Sequence, residues 1–237
     1  MKKLIPSTLV VLVIATMALA CQSFSSSKLT PDSKDFQITA FTAVSIGGSF
    51  EVQFTQSPNT TARVEGNADD LANVEMEVKD NELIIRTKKN SNTKHMIVYL
   101  STPELNKIGI AGSGTFKTMN TLNADKTLHF EVAGSGTIHA TINGKDVEAE
   151  IAGSGDINLS GTSTNSDIEI AGSGNYKAQD LTTGNADVEI AGSGSVYLQA
   201  SGKLDAEIAG SGSVYYKGQP SAIDKSVAGS GRIKQMD

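Results

Sequence analysis

A chain of 237 residues can form one elongated domain or two small globular ones, and its formal charge of −6 excludes nucleic acid as the main partner, because an acidic surface repels phosphates. Aromatic residues make up only 5%, Trp is absent and Gly reaches 23 residues, which excludes a bulky globular core and favours a thin core of Ile, Val, Leu and Ala with many tight turns. The single cysteine, Cys21, excludes a disulfide within the chain.

The first segment reads as an address. Lys2 and Lys3 precede an apolar stretch from Leu9 to Leu19, and small residues lead into Ala18-Leu19-Ala20-Cys21. Residues 1–20 have the form of a signal peptide and are too short for a spanning helix with ordinary flanks. A Cys directly after a small residue resembles the lipobox of bacterial lipoproteins. That resemblance implies acylation of Cys21 on sulfur, cleavage before it, and acylation of its new amino group. Ala18 stands where the lipobox usually has Leu, and the competing reading is an ordinary secretory signal followed by an unrelated Cys. Two or three acyl chains would hold the protein on a membrane where one would not. Residues 21–35, rich in Ser, Lys and Asp, then read as a lipidated Cys followed by a flexible tether.

An alternating pattern begins at Phe36 and carries through residues 36–107. Val44, Ile46, Phe50, Val52 and Phe54 share one parity around Gly47-Gly48-Ser49. Val74, Met76 and Val78 alternate with acids, Lys79-Asp80-Asn81-Glu82 reads as a turn, and Leu83 to Arg86 returns as a strand. Ala68 to Asn73 allows one helical turn. At the spacing of the later repeats, the stretch from Gly47 to Gly112 has room for about three coils with irregular turns, the first acting as a cap.

Residues 108–237 are organised by a repeat. Ala-Gly-Ser-Gly occurs seven times, preceded by Ile110, Val132, Ile151, Ile170, Ile190, Ile208 and Val227, at steps of 22, 19, 19, 20, 18 and 19 residues. That period is too short for a domain and too regular for a linker, and reads as one coil of a solenoid. Val188, Ile190, Val196 and Leu198 share one parity, so two strands meet at each Gly-Ser-Gly. The expected corners are Gly112-Ser113-Gly114, Gly134-Ser135-Gly136, Gly153-Ser154-Gly155, Gly172-Ser173-Gly174, Gly192-Ser193-Gly194, Gly210-Ser211-Gly212 and Gly229-Ser230-Gly231. Their glycines fall where a Cβ finds no room or φ turns positive, and their serines can bond their own backbone or the next coil's serine. Asn143-Gly144, Ser160-Gly161, Gly184-Asn185 and Ser201-Gly202 mark a second corner. The expectation is an all-β, single-stranded parallel β-helix of roughly ten coils, a rod near 50 Å long at ~4.8 Å per coil. A left-handed hexapeptide helix is disfavoured because only the 18-residue step is a multiple of six, and a calcium roll because its Gly-Gly-x-Gly-x-Asp pattern is absent.

The Gly-Ser-Gly corners, the Gly-Gly-Ser-Phe-Glu-Val segment at residues 47–52 and the lipoprotein start together resemble the head GIN domain family of auto-transporter adhesins, over most of residues 36–237. The resemblance implies a right-handed, pectin-lyase-like β-helix, a place in the cell envelope of a Gram-negative bacterium, and an adhesive role. It implies no catalytic residues.

With Ile and Val inward, the outward pairs before each corner are His129 and Glu131, Glu148 and Glu150, Asp167 and Glu169, Asp187 and Glu189, and Asp205 and Glu207. Stacked coils would align these nine carboxylates in two columns, each like-charge contact costing on the order of 1 kcal/mol. They read as a solvated face that keeps rods apart, or as a ladder for Ca²⁺, the one cofactor the pattern could take although none is required. After the corners the outward column is Lys117, His139, Asn158, Lys177, Tyr197 and Tyr215. The two tyrosines read as a strand-stabilising stack or as a platform for a sugar ligand. Lys225 on the inward parity, with Pro220, Arg232 and Lys234, reads as protection of a terminal edge. His95, His129 and His139 have no metal-ligand spacing, and the acids form rows rather than a unique cluster. The expected function is therefore a non-catalytic envelope lipoprotein, an adhesin or binding module for a surface glycan or protein. A purely structural scaffold and a polysaccharide lyase-like enzyme are the alternatives.

Overall fold

The computed structural model describes residues 32–88 and 96–236, so the signal segment, Cys21 and His95 lie outside the described residues. Strands account for 71% of the described residues, most of them stacked as a parallel β-solenoid. The period-two pattern sets the inside: Val44, Ile46, Phe50, Val52 and Phe54 are all buried, as are Val188, Ile190, Val196 and Leu198. One continuous apolar column runs through the coils.

The first strands are β1 (Asp32–Phe36), β2 (Ala43–Gly48), β3 (Glu51–Gln56) and β4 (Thr61–Gly66). Next come the short helix α1 (Ala68–Leu71), then β5 (Val74–Lys79), β6 (Glu82–Thr87) and β7 (Ile97–Thr102). The repeat region holds β8 (Lys107–Gly112), β9 (Thr115–Thr118), β10 (Leu122–Asn123), β11 (Leu128–Gly134), β12 (Thr137–Asn143), β13 (Asp146–Gly153), β14 (Asp156–Gly172) and β15 (Asn175–Gly192). It ends with β16 (Ser195–Ala200), β17 (Lys203–Gly210), β18 (Ser213–Lys217), β19 (Ala222–Gly229) and β20 (Arg232–Gln235). β14 and β15 run unbroken past the second corner, with register shifts between Asn158 and Ser160 and between Ala178 and Thr182.

Corner stacks on corner. Gly48 registers with Gly112, then Gly134, Gly153, Gly172, Gly192, Gly210 and Gly229 follow in turn. Each corner is tied by backbone: Ser135 N donates to Gly112 O at 2.8 Å and Ser154 N to Gly134 O at 2.8 Å. The two glycines of a corner have different reasons. Gly134 has φ 122°, and a Cβ there would lie 2.7 Å from Gly112 O. Gly194 is buried, and its Cβ would meet both Gly174 O and Ile170 Cγ2 at 2.7 Å. The serine between them is exposed, and its hydroxyl bonds to no described residue, so the expected serine-to-serine ladder is replaced by the main-chain one.

The N-terminal third departs from the expected succession of coils. β6 and β7 stack in parallel on β2 and β3, on the side away from β8 and β9, so a later stretch of chain supplies the first level of the solenoid. β5 then pairs antiparallel with β6, β4 antiparallel with β7, and β1 antiparallel with β4. Asp80 and Asn81, both at positive φ (51° and 64°), make the two-residue loop between β5 and β6. In α1 the Asn67 side chain accepts from Asp70 N at 2.9 Å, a normal N-cap. Between β3 and β8 the described strands thus form one further level of the solenoid plus an antiparallel cap instead of several irregular coils. Parallel coil strands and antiparallel hairpin strands share a two-residue period, so alternation alone does not separate them. β1 also shows that the strands begin at Asp32, inside the segment read as tether.

At the other end β19 is exposed along its length, with Ile223 41% and Val227 43% exposed. Lys225 registers with the inward-facing Ala206, and its ammonium lies 4.9 Å from the Tyr216 ring centroid and donates to Tyr216 Oη at 3.3 Å. The lysine thereby covers the last aromatic of the core.

Candidate functional site

Parallel stacking turns every outward position into a row. Glu148, Asp167, Asp187 and Asp205 stand in register, with His129 before them, and so do Glu131, Glu150, Glu169, Glu189 and Glu207. A third row, Asp146, Asn165 and Asn185, was not singled out from the sequence. It is a ladder of amides: Asn165 Nδ2 donates to Asp146 Oδ1 at 2.7 Å and Asn185 Nδ2 to Asn165 Oδ1 at 2.9 Å. With the first acidic row it lines a shallow groove of about 560 Å³.

The first row runs on from Asp205 to Asp224, and three basic side chains pair with acids of the rows. Lys107 Nζ lies 2.5 Å from Glu131, His129 Nδ1 lies 2.8 Å from Glu148, and Lys203 Nζ lies 2.9 Å from Asp205. Hydrogen bonding to Glu131 raises the Lys107 ammonium above the usual lysine value, and Asp205 does the same for Lys203. In the middle of the rows the carboxylates feel one another. Burial, then Asp187 and Glu148, raise the Asp167 carboxyl above its ordinary value. Burial, then Glu150, Asp167, Glu189 and Glu148, raise Glu169. Among the described residues, no three His, Cys, Asp or Glu side chains converge where a metal ion could sit. Rows of this kind disperse charge along a face.

The strands after the corners carry different chemistry. Their outward row reads Lys117, His139, Asn158, Lys177, Tyr197, Tyr215 and Lys234. Tyr197 and Tyr215 are brought together as foreseen, with ring centroids 5.0 Å apart and planes within 14°. The rings use one face on each other, so the pair offers edges and hydroxyls outward rather than an open platform. In the flanking row Asp156 accepts from Asn175 Nδ2 at 2.8 Å and from Lys177 Nζ at 2.9 Å. Burial pushes the Asp156 carboxyl up, but Asn175 and Lys177 outweigh it and hold it below the ordinary value. A polar groove of about 270 Å³ opens beside Lys117, His139, Asn158 and Lys177. Thr141, Ser160, Gln179 and the exposed Asp180 also line it. A sequence period finds the row, but not the groove beside it, which lies where the strand register shifts between Asn158 and Ser160.

The fold and these faces define a class: a repeat protein whose outer surface consists of long rows in register, a form suited to display and contact over an extended area. The chain belongs to the family described as "Putative auto-transporter adhesin, head GIN domain", which matches residues 40–220. The chain is also similar to solved structures. A crystal structure from Bacteroides fragilis NCTC 9343, titled a putative adhesin, is 28% identical with a TM-score of 0.83, covering 88% of this chain and 98% of its own. One from Parabacteroides distasonis ATCC 8503, titled a putative lipid binding protein, is 25% identical with a TM-score of 0.71, covering 89% and 98%. A third, from Parabacteroides merdae ATCC 43184 and titled a putative adhesin, is 21% identical with a TM-score of 0.66, covers 89% and 98%, and shares the fold. No curated protein matches the chain. The family places the protein at the cell surface or envelope.

Proposed function

We propose that this protein is a non-catalytic envelope adhesin, anchored to the outer membrane of a Gram-negative bacterium through acylated Cys21. It would hold a surface glycan or protein ligand on the face after the corners. The observation that carries the reading is the sorting of side chains between the two faces. Carboxylates crowd the strands before each corner, while the row after it presents Lys, His, Asn and Tyr and no carboxylate. An acidic face resists rod-to-rod association, leaving the other face as the contact surface. The test compares cells expressing the wild type with cells expressing Cys21→Ser. Surface protease should digest the wild-type protein on intact cells, and the variant should be released from the membrane fraction. Wild-type protein that stays protected in intact cells, or a variant that stays membrane-bound, refutes the anchored-adhesin reading.

The lipid-binding name of the P. distasonis relative has its best footing at the cap. A groove of about 380 Å³ there is lined by Phe36, Val74, Met76 and Ile84 together with Glu75, Glu77, Arg86 and Lys88, beside β5, which among the described residues pairs with β6 alone. Saturable displacement of a fluorescent fatty acid, lost in Met76→Glu, would favour that use of the cap.

A further inference from the structure

We propose that the β19–β20 end of the solenoid is a docking surface for the same end of a second copy of this chain. The two copies are related by a two-fold axis through the Gly229-Ser230-Gly231 corner. Three observations lead there.

The first is an open, level end. Among the described residues β19 pairs with β17 alone and β20 with β18 alone, so each leaves a row of main-chain groups unpaired. The core opens there too. Ile223 and Val227 are exposed and Ile233 is half-buried, and all three stand in register with buried residues one coil below. The other end of the stack has a different outline: one strand, β5, lies beyond β6, whereas two, β4 and β1, lie beyond β7. A level end does not sit flush on a stepped one, so the surface that fits this end is the same end of another copy.

The second is the direction of the free main-chain groups. Arg232 N donates to Gly212 O at 3.1 Å and Met236 N to Tyr216 O at 2.8 Å, so the even-numbered residues of β20 turn their main chain toward the coil below. Alternation leaves Ile233 and Gln235 facing the edge. On the strands before the corner, His129 N donates to Asn106 O at 2.8 Å, and Asp224 stands in the row that His129 begins. Asp224 and Ser226 therefore face the coil below, and Lys225 and Val227 face the edge. β19 runs toward the corner and β20 away from it, so the two-fold axis lays each β19 antiparallel on the other copy's β20. Residues equally far from Ser230 then meet: Val227 opposite the second copy's Ile233, and Lys225 opposite its Gln235. Each pair exchanges two N–H···O bonds, because both members carry edge-facing groups.

The third is the chemistry that meets in that register. Val227 and Ile233 both stand on the inward parity, so their contact closes the open core. Gln235 Nε2 donates to Gly218 O at 2.8 Å, which leaves its Oε1 to accept from the second copy's Lys225. On the outer side Ser226 lies opposite Lys234, Ala228 opposite Arg232, and Asp224 diagonal to Lys234, so no like charges meet. The basic side chains deter indiscriminate strand addition, while a two-fold contact uses both free edges at once and does not propagate. On the adhesin reading, on which this last step alone rests, two copies joined here carry their β1 ends apart, as contact between facing cells requires.

The experiment cross-links the full-length chain in a Cys21→Ser background. Ser226→Cys and Lys234→Cys, both at exposed positions, are purified separately, mixed under mild oxidation and read by nonreducing electrophoresis. In the proposed register the two positions form a pair with Cα atoms about 4.5 Å apart, within disulfide reach. The mixture should give a band of doubled mass. Either variant alone should not, because each position lies across the corner from its own counterpart. Adding Val227→Asp to both should lower the yield at least about tenfold. No cross-link in the mixture, equal cross-linking of either variant alone, or an undiminished yield with Val227→Asp overturns the proposal. Cells displaying the wild type should cluster, and cells displaying Val227→Asp should not. Cross-linking without clustering leaves the interface standing and removes its use between cells.

Discussion

Gly194→Ala tests the account of the corner most directly. Its added Cβ would lie 2.7 Å from Gly174 O and 2.7 Å from Ile170 Cγ2, about 0.7 Å inside the closest ordinary contact distance of 3.4 Å. Both atoms belong to the coil below. Gly174 O accepts from Ser195 N at 3.1 Å, so relieving the clash lengthens or breaks that bond. Ile170 is a buried core residue, 2% exposed, with no free space to yield. Overpacking of a filled core costs about 1–3 kcal/mol and a lost backbone hydrogen bond about 0.5–1.5 kcal/mol, giving about 1.5–4.5 kcal/mol together. Ser193→Ala, one residue away, removes an exposed hydroxyl that bonds to no described residue and should stay within about 0.5 kcal/mol of wild type. Urea unfolding followed by far-UV circular dichroism reads both. The reasoning is refuted if the two variants unfold at the same midpoint, or if Ser193→Ala proves the more damaging.

The remaining predictions concern the faces. Glu169→Gln should raise stability at neutral pH by about 0.2–1 kcal/mol, since it removes a carboxylate placed beside like charges in adjacent coils. Glu169 has its folded value raised, so the penalty is fully present above that value and disappears as pH falls below the unfolded value. The advantage of the variant should therefore vanish on acidification, and a gain that persists in acid contradicts the repulsion account. A double-mutant cycle on Tyr197→Ala and Tyr215→Ala should give a coupling of about 0.5–1.5 kcal/mol from the ring stack, and strict additivity would show that the stack contributes nothing. Millimolar CaCl₂ should shift the melting temperature no more than NaCl of equal ionic strength, because the acids run in rows without converging. A saturable rise specific to Ca²⁺, lost in Glu169→Lys with Glu189→Lys, would restore the cation ladder.

Much of the repeat region was legible from residues 108–237. An inward parity plus a corner of invariant composition fixes coil length, core and outward rows, because in a parallel stack each coil sits in register on the last. Hence Glu148 to Asp205 and Lys117 to Tyr215 fall into rows as their spacing implies. Inward polar residues escaped the pattern. Ser166 and Thr183 are buried side by side, their hydroxyls 3.3 Å apart, with Ser163 Oγ 3.1 Å from Ser166 Oγ and 2.8 Å from Thr183 Oγ1. A serine in an apolar column looks like a turn residue until its partners are known.

The sequence by itself determined the all-β class, the coil period, the Gly-Ser-Gly corners and the separation of an acidic face from a Lys, His and Tyr face. These depend on local periodicity and on contacts between equivalent residues one repeat apart, which a linear string displays. Only the tertiary structure decided that β6 and β7 precede β2 and β3 along the stack, that β4 and β5 turn antiparallel to form the cap, and that Lys107 and Lys203 pair with acids of the rows. It alone brought Gln179, whose Oε1 is buried and unpaired, and Asp180 beside Lys117 and His139. Those features arise from pairings between unlike segments and from a register shift, and neither leaves a periodic trace in the order of residues.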